Sequence, residues 1–425
     1  MAEATRTSLL AQIDNDQNEL VQATQLLVQA GSPSPPGDVS KAAQAAVGLI
    51  HQAIPSAIVT THETAPGIVN VVAVIQGNGG PGKRLVFNGH LDTYPFGDES
   101  KWTHGPLSGT LSDDGKRLYG RGSSDMKGGI AAAIIACRAL EAHKDSWAGE
   151  IVIALAGDEE TMGTLGSGFL LDNVDTVKCD AMICPDAGSP LVVRVGEKGL
   201  IWAEISASGV PAHGAHVHKG VNGIERLLVA LQLLKGLEKL PPNAPKEVNE
   251  VIAAAKGVSE PLGGIGEQDT LQRLTVNIGT ISGGTSPNLV PDEAHAAADI
   301  RLPMGISTDE VIEQLHSALD PLEGVSFKVT RQYEPSWTSP SEDIVTYSLE
   351  AARFVVSPQA MPNMRVGASD SRLFRQKGIP TVVVGLTPYN MGGPDEYIAT
   401  DELAQVAKIH ALGAWRFLQP SGEAQ

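Results

Sequence analysis

Short apolar segments alternate with segments of helical periodicity through much of this chain. The runs at 151–156 and 180–184 have the length and aliphatic content of buried strands, and a helix is predicted at 126–143, before the first of them. Such alternation is typical of an α/β sheet covered by helices, in which functional groups collect in loops at the carboxyl ends of strands. The sequence therefore predicts a mixed sheet flanked by helices and directs attention to its strand ends.

The residues before the first motif predict two helices and a hairpin. Leucines and isoleucines recur at helical spacing over 9–27, and a second helix is predicted at 39–54. Segments 69–75 and 84–87 are rich in β-forming residues and are joined by a Gly-rich turn at 77–82. That combination predicts a β-hairpin.

The pattern restarts near residue 199 and resumes near residue 306. The first stretch contains predicted strands at 201–206, 273–281 and 294–301 and helices at 223–237 and 246–256; the second contains helices at 308–319 and near Ser348 and strands at 325–332 and 381–384. We therefore predict an α+β domain at 199–305, inserted into an α/β domain formed by 1–198 and 306–425.

Composition excludes several kinds of partner. The 425 residues include 31 Lys and Arg against 49 Asp and Glu, a net charge of −18, which disfavours nucleic acid and anionic membranes. Cys137, Cys179 and Cys184 lack paired spacing and are expected to be buried small hydrophobes in a reducing compartment. Without a signal-like N-terminus or a run of membrane-spanning length, the chain is expected to be cytoplasmic.

Two of the predicted strands end on side chains that suit metal chemistry. His90 and Asp92 follow the strand at 84–87 and project to the same side, and a carboxylate beside a ligating imidazole can fix its tautomer. Glu159 and Glu160 follow the strand at 151–156. One of these carboxylates can bind a metal while its neighbour takes a proton from water.

Two further carboxylates stand in comparable places. Asp125 lies in a Gly-rich loop at 120–129 that leads into a helix, where it could bridge two cations, and Asp186 follows the strand at 180–184. Imidazole and carboxylate ligands suit zinc, cobalt or manganese better than a thiolate site would.

These four motifs, in this order over residues 85–188, resemble the dinuclear zinc metallopeptidase family of aminoacylase, acetylornithine deacetylase, succinyl-diaminopimelate desuccinylase and glutamate carboxypeptidase. The resemblance implies a catalytic domain with an inserted lid and dimerisation domain. The roles it implies are metal ligation by His90 and Asp186 at one ion and by Glu160 at the other, bridging by Asp125, general base catalysis by Glu159 and orientation of His90 by Asp92.

The resemblance continues into the predicted inserted domain. Residues 209–214 and 220–222 look like the family's histidine loop, which implies that His213 reaches into a partner subunit and stabilises the oxyanion of the reaction. The alternative is a surface loop histidine. His216 and His218, in the same loop, are expected to be exposed polar residues.

Substrate-binding residues are also implied. Segments 283–291 and 299–301 are similar to the family's substrate-binding turn and strand, so Asn288 and Arg301 would hold the substrate. Because a guanidinium grips a carboxylate bidentately, Arg301 suggests a substrate with a free carboxylate; a structural salt bridge is the alternative. Arg372 is a second candidate for substrate contact.

One position departs from the family pattern. The family's last metal ligand is a histidine three residues before an Asp-Glu or Asn-Glu pair, and in this chain that position, before Asp395 and Glu396, is Gly392. Three alternatives follow: a carboxylate of the pair ligates instead, water completes the second site, or one metal suffices. We favour a carboxylate substitute, with Asp395 as the candidate.

The predicted function is metal-dependent hydrolysis of the amide bond of an N-acyl amino acid or short peptide-like substrate with a free carboxylate, by a homodimer. Two divalent metal ions are expected, zinc with cobalt or manganese as alternatives. An aminopeptidase of a related two-metal type and a catalytically silent metabolite-binding homologue are the rival predictions. A dinucleotide-binding oxidoreductase is disfavoured, because the loop at 120–129 lacks Gly-x-Gly-x-x-Gly spacing.

Overall fold

The computed structural model of the protein describes residues 2–419. The predicted α/β domain, 1–198 with 306–425, therefore extends beyond the described residues by Met1 and residues 420–425. The chain divides into two compact units. Of the described residues, the first comprises 2–195, Trp337–Asn363 and 369–419, and the second comprises Gly196–Ser336 with Met364–Ala368. The second unit therefore interrupts the first along the chain.

The helices and strands of the described residues have the following bounds. The helices are α1 (Ala2–Asn15), α2 (Gln17–Gln29), α3 (Ser40–Ala53), α4 (Gly128–Ala142), α5 (Ser167–Asn173), α6 (Gly223–Gly236), α7 (Lys246–Gly263), α8 (Glu267–Leu271), α9 (Thr308–Leu319), α10 (Asp343–Val355), α11 (Ser371–Gln376) and α12 (Thr400–Phe417). The strands are β1 (Ile58–Ala65), β2 (Ile68–Gln76), β3 (Arg84–His90), β4 (Arg117–Tyr119), β5 (Glu150–Ala156), β6 (Ala181–Cys184), β7 (Val192–Glu197), β8 (Gly199–Ser208), β9 (Ala212–His213), β10 (Thr275–Gly283), β11 (Leu289–Val290), β12 (Glu293–Leu302), β13 (Val325–Tyr333), β14 (Ser336–Trp337), β15 (Met361–Arg365), β16 (Thr381–Val383) and β17 (Tyr397–Ala399).

The main sheet is mixed, as the sequence predicted. Its strand order is β1, β2, β5, β3, β6, β16, β7, β14, with β15 also paired to β7. β3 runs parallel to both β5 and β6, whereas β2 is antiparallel to β5. The three neighbouring parallel strands β5, β3 and β6 therefore end at the same edge of the sheet.

Helices of the first unit pack on one another and on this sheet. α4 contacts α2 and α12, and α3 contacts β2. Most of α4 is buried, because its glycines and alanines let its neighbours approach closely. The expected flanking of a mixed sheet by helices is confirmed.

The predicted hairpin of 69–75 with 84–87 is wrong. β5 lies between β2 and β3, and β2 instead pairs with β1 across the turn at Pro66 and Gly67. The strand that pairs with a given strand can come from a distant part of the sequence. A Gly-rich connection between two strands therefore does not determine whether those two strands pair with each other. β1, which sequence analysis missed, is Thr-rich, has no buried residue and lacks an apolar run.

The second unit contains a four-stranded antiparallel sheet in the order β10, β12, β8, β13. Alternate residues of β8 and β12 are buried, and they join a core with the apolar faces of α6 and α9. This unit is larger than the predicted domain at 199–305. β13 pairs along β8 and α9 covers the same core, so residues 306–336 belong to this unit rather than to the first.

Two of the three cysteines behave as predicted: Cys137 and Cys184 are buried, whereas Cys179 is partly exposed. Within residues 2–419, no helix combines the length and apolar character needed to span a bilayer.

Candidate metal centre

Several of the candidate side chains lie at the ends of β5, β3 and β6. His90 is the last residue of β3, Glu159 and Glu160 begin a short turn after β5, and Asp186 follows β6. Because these strands are parallel neighbours, their carboxyl ends place the four side chains along one edge of the sheet.

Asp125 reaches the same edge from the loop before α4. A Cβ on Gly129 would lie 1.8 Å from the carbonyl oxygen of Pro185, so only glycine allows α4 to begin this close to the end of β6. The carboxylate Oδ1 of Asp125 lies 3.0 Å from Nε2 of His90. The Gly-Gly start of α4 thus brings the loop carboxylate to the strand ends.

His90, Asp125 and Asp186 form a group that fits a metal ion. One ligand atom from each lies within 4.8 Å of the other two, and all three residues are buried. Residues 2–419 contain no second group of three such side chains. One imidazole and two carboxylates form a donor set that suits zinc, cobalt or manganese.

Asp92 supports this group in two ways. Its backbone carbonyl oxygen lies 2.9 Å from Nδ1 of His90, while its carboxylate is 3.6 Å from the same atom. The carboxylate accepts hydrogen bonds from the backbone N–H groups of Glu159, at 3.1 Å, and Glu160, at 2.9 Å. The closer contact to the imidazole is thus from the carbonyl, and the carboxylate fixes the turn that carries the two glutamates.

Burial dominates the electrostatics of the centre. It raises the pKa of Glu159 well above the ordinary value; Asp370 and Asp186 add to that rise, and His90 opposes it. Burial, with Asp125 next, raises the pKa of Glu160 to about 10. Glu160 Oε1 is buried without a hydrogen-bond partner. An unpaired buried oxygen among several carboxylates is an environment that a divalent cation stabilises, so these residues fit a metal site.

The Asp395 carboxylate, the candidate for a substitute ligand, is hydrogen-bonded to backbone groups. Oδ1 of Asp395 accepts hydrogen bonds from the backbone N–H groups of Thr103, at 2.8 Å, and His104, at 3.1 Å. The group of ligand atoms within 4.8 Å does not include Asp395. Asp395 therefore lies outside the one group of three ligand side chains found among residues 2–419, and its role as a substitute ligand stays a prediction.

The carboxylate of Glu396 is occupied by an ion pair and by hydrogen bonds to the Asp125 loop. Its carboxylate pairs with Nη1 of Arg121 at 2.5 Å and accepts from the backbone N–H groups of Gly122 and Ser124 and from the Ser124 hydroxyl. The second nitrogen of Arg121 donates to the carbonyl oxygen of Gly392 at 2.9 Å. This buried ion pair holds the Asp125 loop to the segment that ends at Glu396.

Arg121 is a supporting residue that sequence reasoning missed. A charged side chain between two glycines, in a loop that carries a candidate ligand, is the signal that could have identified it. His410 is not a ligand either, since it is buried in α12 and its Nε2 donates to the carbonyl oxygen of Val384 at 2.7 Å.

The candidates of the second unit fall into two places. His213 in β9 is in register with Leu289 of β11, and the carbonyl oxygen of Asn288 accepts from the Gly214 N–H, so His213 and Asn288 share one loop cluster and both are exposed. His216 and His218 are exposed, as predicted.

Arg301 lies near the opposite end of β12 from that cluster. β12 has 10 residues, which corresponds to about 30 Å of strand. The guanidinium contacts both carboxylate oxygens of Asp299, at 2.8 and 3.0 Å, so the salt bridge that sequence analysis kept as an alternative is present. The side chain remains 29% exposed.

Arg372, the second candidate for substrate contact, is buried. Its guanidinium donates to the carbonyl oxygens of Ser369 and Met162 and lies 4.0 Å from Oε1 of Glu159. The structure therefore brings Arg372 beside Glu159.

The chain matches a known protein family over most of its length. The model of peptidase family M20/M25/M40 matches residues 86–415. A succinyl-diaminopimelate desuccinylase of Methylorubrum extorquens is 28% identical over 360 residues, which cover 81% of this chain and 85% of the relative.

Solved structures share the fold. An M20 family metallo-carboxypeptidase from Sulfolobus solfataricus superposes with a TM-score of 0.78 at 22% identity, covering 94% of this chain and 99% of that one. A dinuclear metal-binding M20 peptidase from Bacillus subtilis superposes with a TM-score of 0.64 at 13% identity, covering 95% and 99%. The protein belongs to peptidase family M20/M25/M40 and is a metallohydrolase that acts on amide bonds.

Proposed function

We propose that the protein hydrolyses the amide bond of an N-acyl amino acid or short peptide-like substrate that carries a free carboxylate, with Glu159 as general base. The observation that carries the proposal is the placement of Glu159. Its backbone is held by the Asp92 carboxylate, it belongs to the same strand-end edge as the group His90, Asp125 and Asp186, and its side chain is 13% exposed.

His90 and Asp186 would hold one divalent ion and Glu160 a second, with Asp125 shared between them. We propose zinc, with cobalt or manganese as alternatives. Bound ions of this kind lower the pKa of water and polarise a carbonyl oxygen. The protein supplies buried ligands whose orientation is fixed, most clearly for His90, whose Nδ1 is held by the Asp92 carbonyl.

Glu159 would move the proton of the reaction. Burial raises the pKa of Glu159, so its carboxylate is a stronger base than an exposed one and accepts a proton from the attacking water more readily. The protonated Glu159 would then give that proton to the leaving amine. The Asp92 carboxylate accepts hydrogen bonds from the backbone N–H groups of Glu159 and Glu160. The proposed general base, Glu159, is therefore kept at a fixed distance from the proposed metal ligand, Glu160.

We propose that Arg301 recognises the substrate carboxylate. It is the partly exposed arginine of the segment that resembles a substrate-binding strand, and Asp299 fixes the plane of its guanidinium. A fixed, planar donor pair matches a carboxylate in geometry and in charge. The rival aminopeptidase would recognise an amino group instead.

Replacing Arg301 with alanine should therefore raise KM for an N-acyl amino acid by about 10- to 100-fold, since a charged hydrogen bond contributes roughly 1.5–3 kcal/mol. kcat should change little. The same variant should act normally on a substrate whose carboxylate is amidated, measured by initial rates at several concentrations. Arg331, on β13 of the same sheet and stacked over Trp202, is the matched control, and R331A should leave KM unchanged. Equal losses on acid and amide substrates would argue against carboxylate recognition.

We further propose a homodimer formed through the second unit, with Asn288 and His213 of one subunit serving the site of the other. β10 is an edge strand of its sheet, and large apolar side chains of α6 and β10 are exposed: Leu228 at 54%, Val229 at 50%, Leu233 at 41% and Ile281 at 56%. An exposed edge beside an apolar helix face is a self-complementary surface for a twofold partner.

The variant L228D should shift the protein from dimer to monomer in sedimentation velocity. Burying one leucine contributes about 1.5–3 kcal/mol, and twofold symmetry doubles the loss. The dissociation constant should therefore rise by about 100-fold or more. I265D changes a fully exposed apolar residue between α7 and α8, outside the helix and strand that form this surface, and should leave the dimer intact. A wild-type protein that sediments as a monomer would refute this interface.

A further inference from the structure

The turn that carries Glu159 closes on two consecutive residues in the left-handed region. Met162 has φ 88° and Gly163 has φ 69°. The N–H of Met162 donates to the carbonyl oxygen of Glu159 at 2.7 Å, and that of Gly163 donates to the carbonyl oxygen of Asp158 at 2.9 Å. A side chain such as methionine adopts this region at a cost of about 1–2 kcal/mol, so surrounding contacts must stabilise the turn.

Arg372 provides such a contact from α11. Its Nη2 donates to the carbonyl oxygen of Met162 at 2.7 Å, and its Nη1 donates to the carbonyl oxygen of Ser369 at 2.6 Å. Nη1 also lies 4.0 Å from Oε1 of Glu159. One buried guanidinium thus ties down the end of the turn and faces the carboxylate that the turn presents.

A buried polar chain fixes Arg372 in turn. Oδ1 of Asp370 lies 3.9 Å from the guanidinium, and Oδ2 accepts from the Ser167 hydroxyl at 2.6 Å. Ser167 accepts from the side-chain amide of Asn88 at 2.9 Å. Since Asn88 lies in β3, two residues before His90, the chain links the strand that carries the imidazole to the turn that carries the glutamates.

We infer that Arg372 is a positioning residue for Glu159 and not the substrate contact that the sequence suggested. Asp92 holds the N–H groups at the start of the turn, and Arg372 holds the carbonyl at its end. This inference rests on the proposed role of Glu159 as general base.

Hydrogen exchange and kinetics on R372M, R372K and R375M test the inference. Arg375 is the matched control, because it is a buried arginine of the same helix that donates to the carbonyl oxygen of Thr381. In R372M, amide exchange over 158–166 should become about tenfold faster or more, while exchange over 150–156 in β5 stays unchanged. kcat should fall by about 100-fold with KM altered less than about threefold, since small misplacements of a catalytic group cost that much.

R372K should recover about tenfold of the lost kcat, because a lysine restores the charge and one hydrogen bond. If R372M does not fold, the exchange and kinetic measurements can be made on R372K instead. R375M should lower the melting temperature without changing exchange over 158–166 or kcat.

A rise in KM at constant kcat would make Arg372 a substrate contact and overturn the inference, as would unchanged exchange over 158–166. Faster exchange over 158–166 with unchanged kcat would show that Arg372 stabilises the turn. It would also show that Glu159 is not the general base, because loosening its turn would not affect catalysis. The failure of one proposal is therefore distinguishable from the failure of the other.

Discussion

Replacing Glu159 with glutamine is expected to lower kcat by about 10³-fold, within the roughly 10²- to 10⁴-fold contribution of general acid–base catalysis. Glutamine has the same shape but accepts no proton, and the contacts that hold the turn use the backbone of residue 159 rather than its side chain. Metal content and melting temperature should therefore match the wild type. Steady-state kinetics on metal-analysed protein measure the effect.

E402Q is the control for removing a carboxylate. Glu402 is a partly buried glutamate of the first unit whose carboxylate accepts from the Thr387 N–H, a contact that glutamine preserves. It should retain wild-type kcat. An E159Q protein with more than about a tenth of wild-type kcat would exclude Glu159 as the base, because general base catalysis contributes at least about 100-fold.

Replacing Asp125 with asparagine is expected to abolish both metal retention and activity. Asp125 is a member of the group of ligand atoms within 4.8 Å and contacts His90 at 3.0 Å. Losing a residue that only supports a ligand already weakens metal binding by about 10- to 100-fold, so losing a ligand should weaken it by more than about 100-fold. Elemental analysis after dialysis measures the bound metal.

D395N is the matched control and also tests a sequence prediction. The structure ties Asp395 to the backbone of Thr103 and His104, so D395N should keep wild-type metal content. Loss of one metal per chain in D395N alone would reinstate Asp395 as the substitute ligand. Full metal retention by D125N would contradict the assignment of the centre.

Sequence patterns predicted the part of the site that depends on strand ends. β3, β5 and β6 are apolar runs that end abruptly in polar residues, so their limits and the side chains that follow them were visible in the sequence. Their adjacency in the sheet was not visible, and β5 lies between β2 and β3 where a hairpin was predicted. The limits of the second unit were missed for the same reason, since β13 pairs with β8 across more than a hundred residues.

Side-chain roles that depend on a neighbour's backbone were harder to predict. Arg372 looked available to a substrate, yet it is occupied by carbonyl oxygens of Ser369 and Met162. Asp395 looked like a ligand, yet it accepts from two backbone N–H groups. Residue type and order reveal a donor or an acceptor, but not the peptide group that it meets after folding.

The most direct test of metal-dependent amide hydrolysis is the release of amino acid from a panel of N-acyl amino acids and dipeptides by metal-analysed protein, before and after chelation. The expected result is hydrolysis that chelation abolishes and that added zinc, cobalt or manganese restores. Hydrolysis should be weaker when the substrate carboxylate is amidated. Hydrolysis that survives complete metal removal would contradict metal-dependent catalysis. So would a protein that binds no metal and hydrolyses nothing after metal is added, which would identify a catalytically silent binding protein.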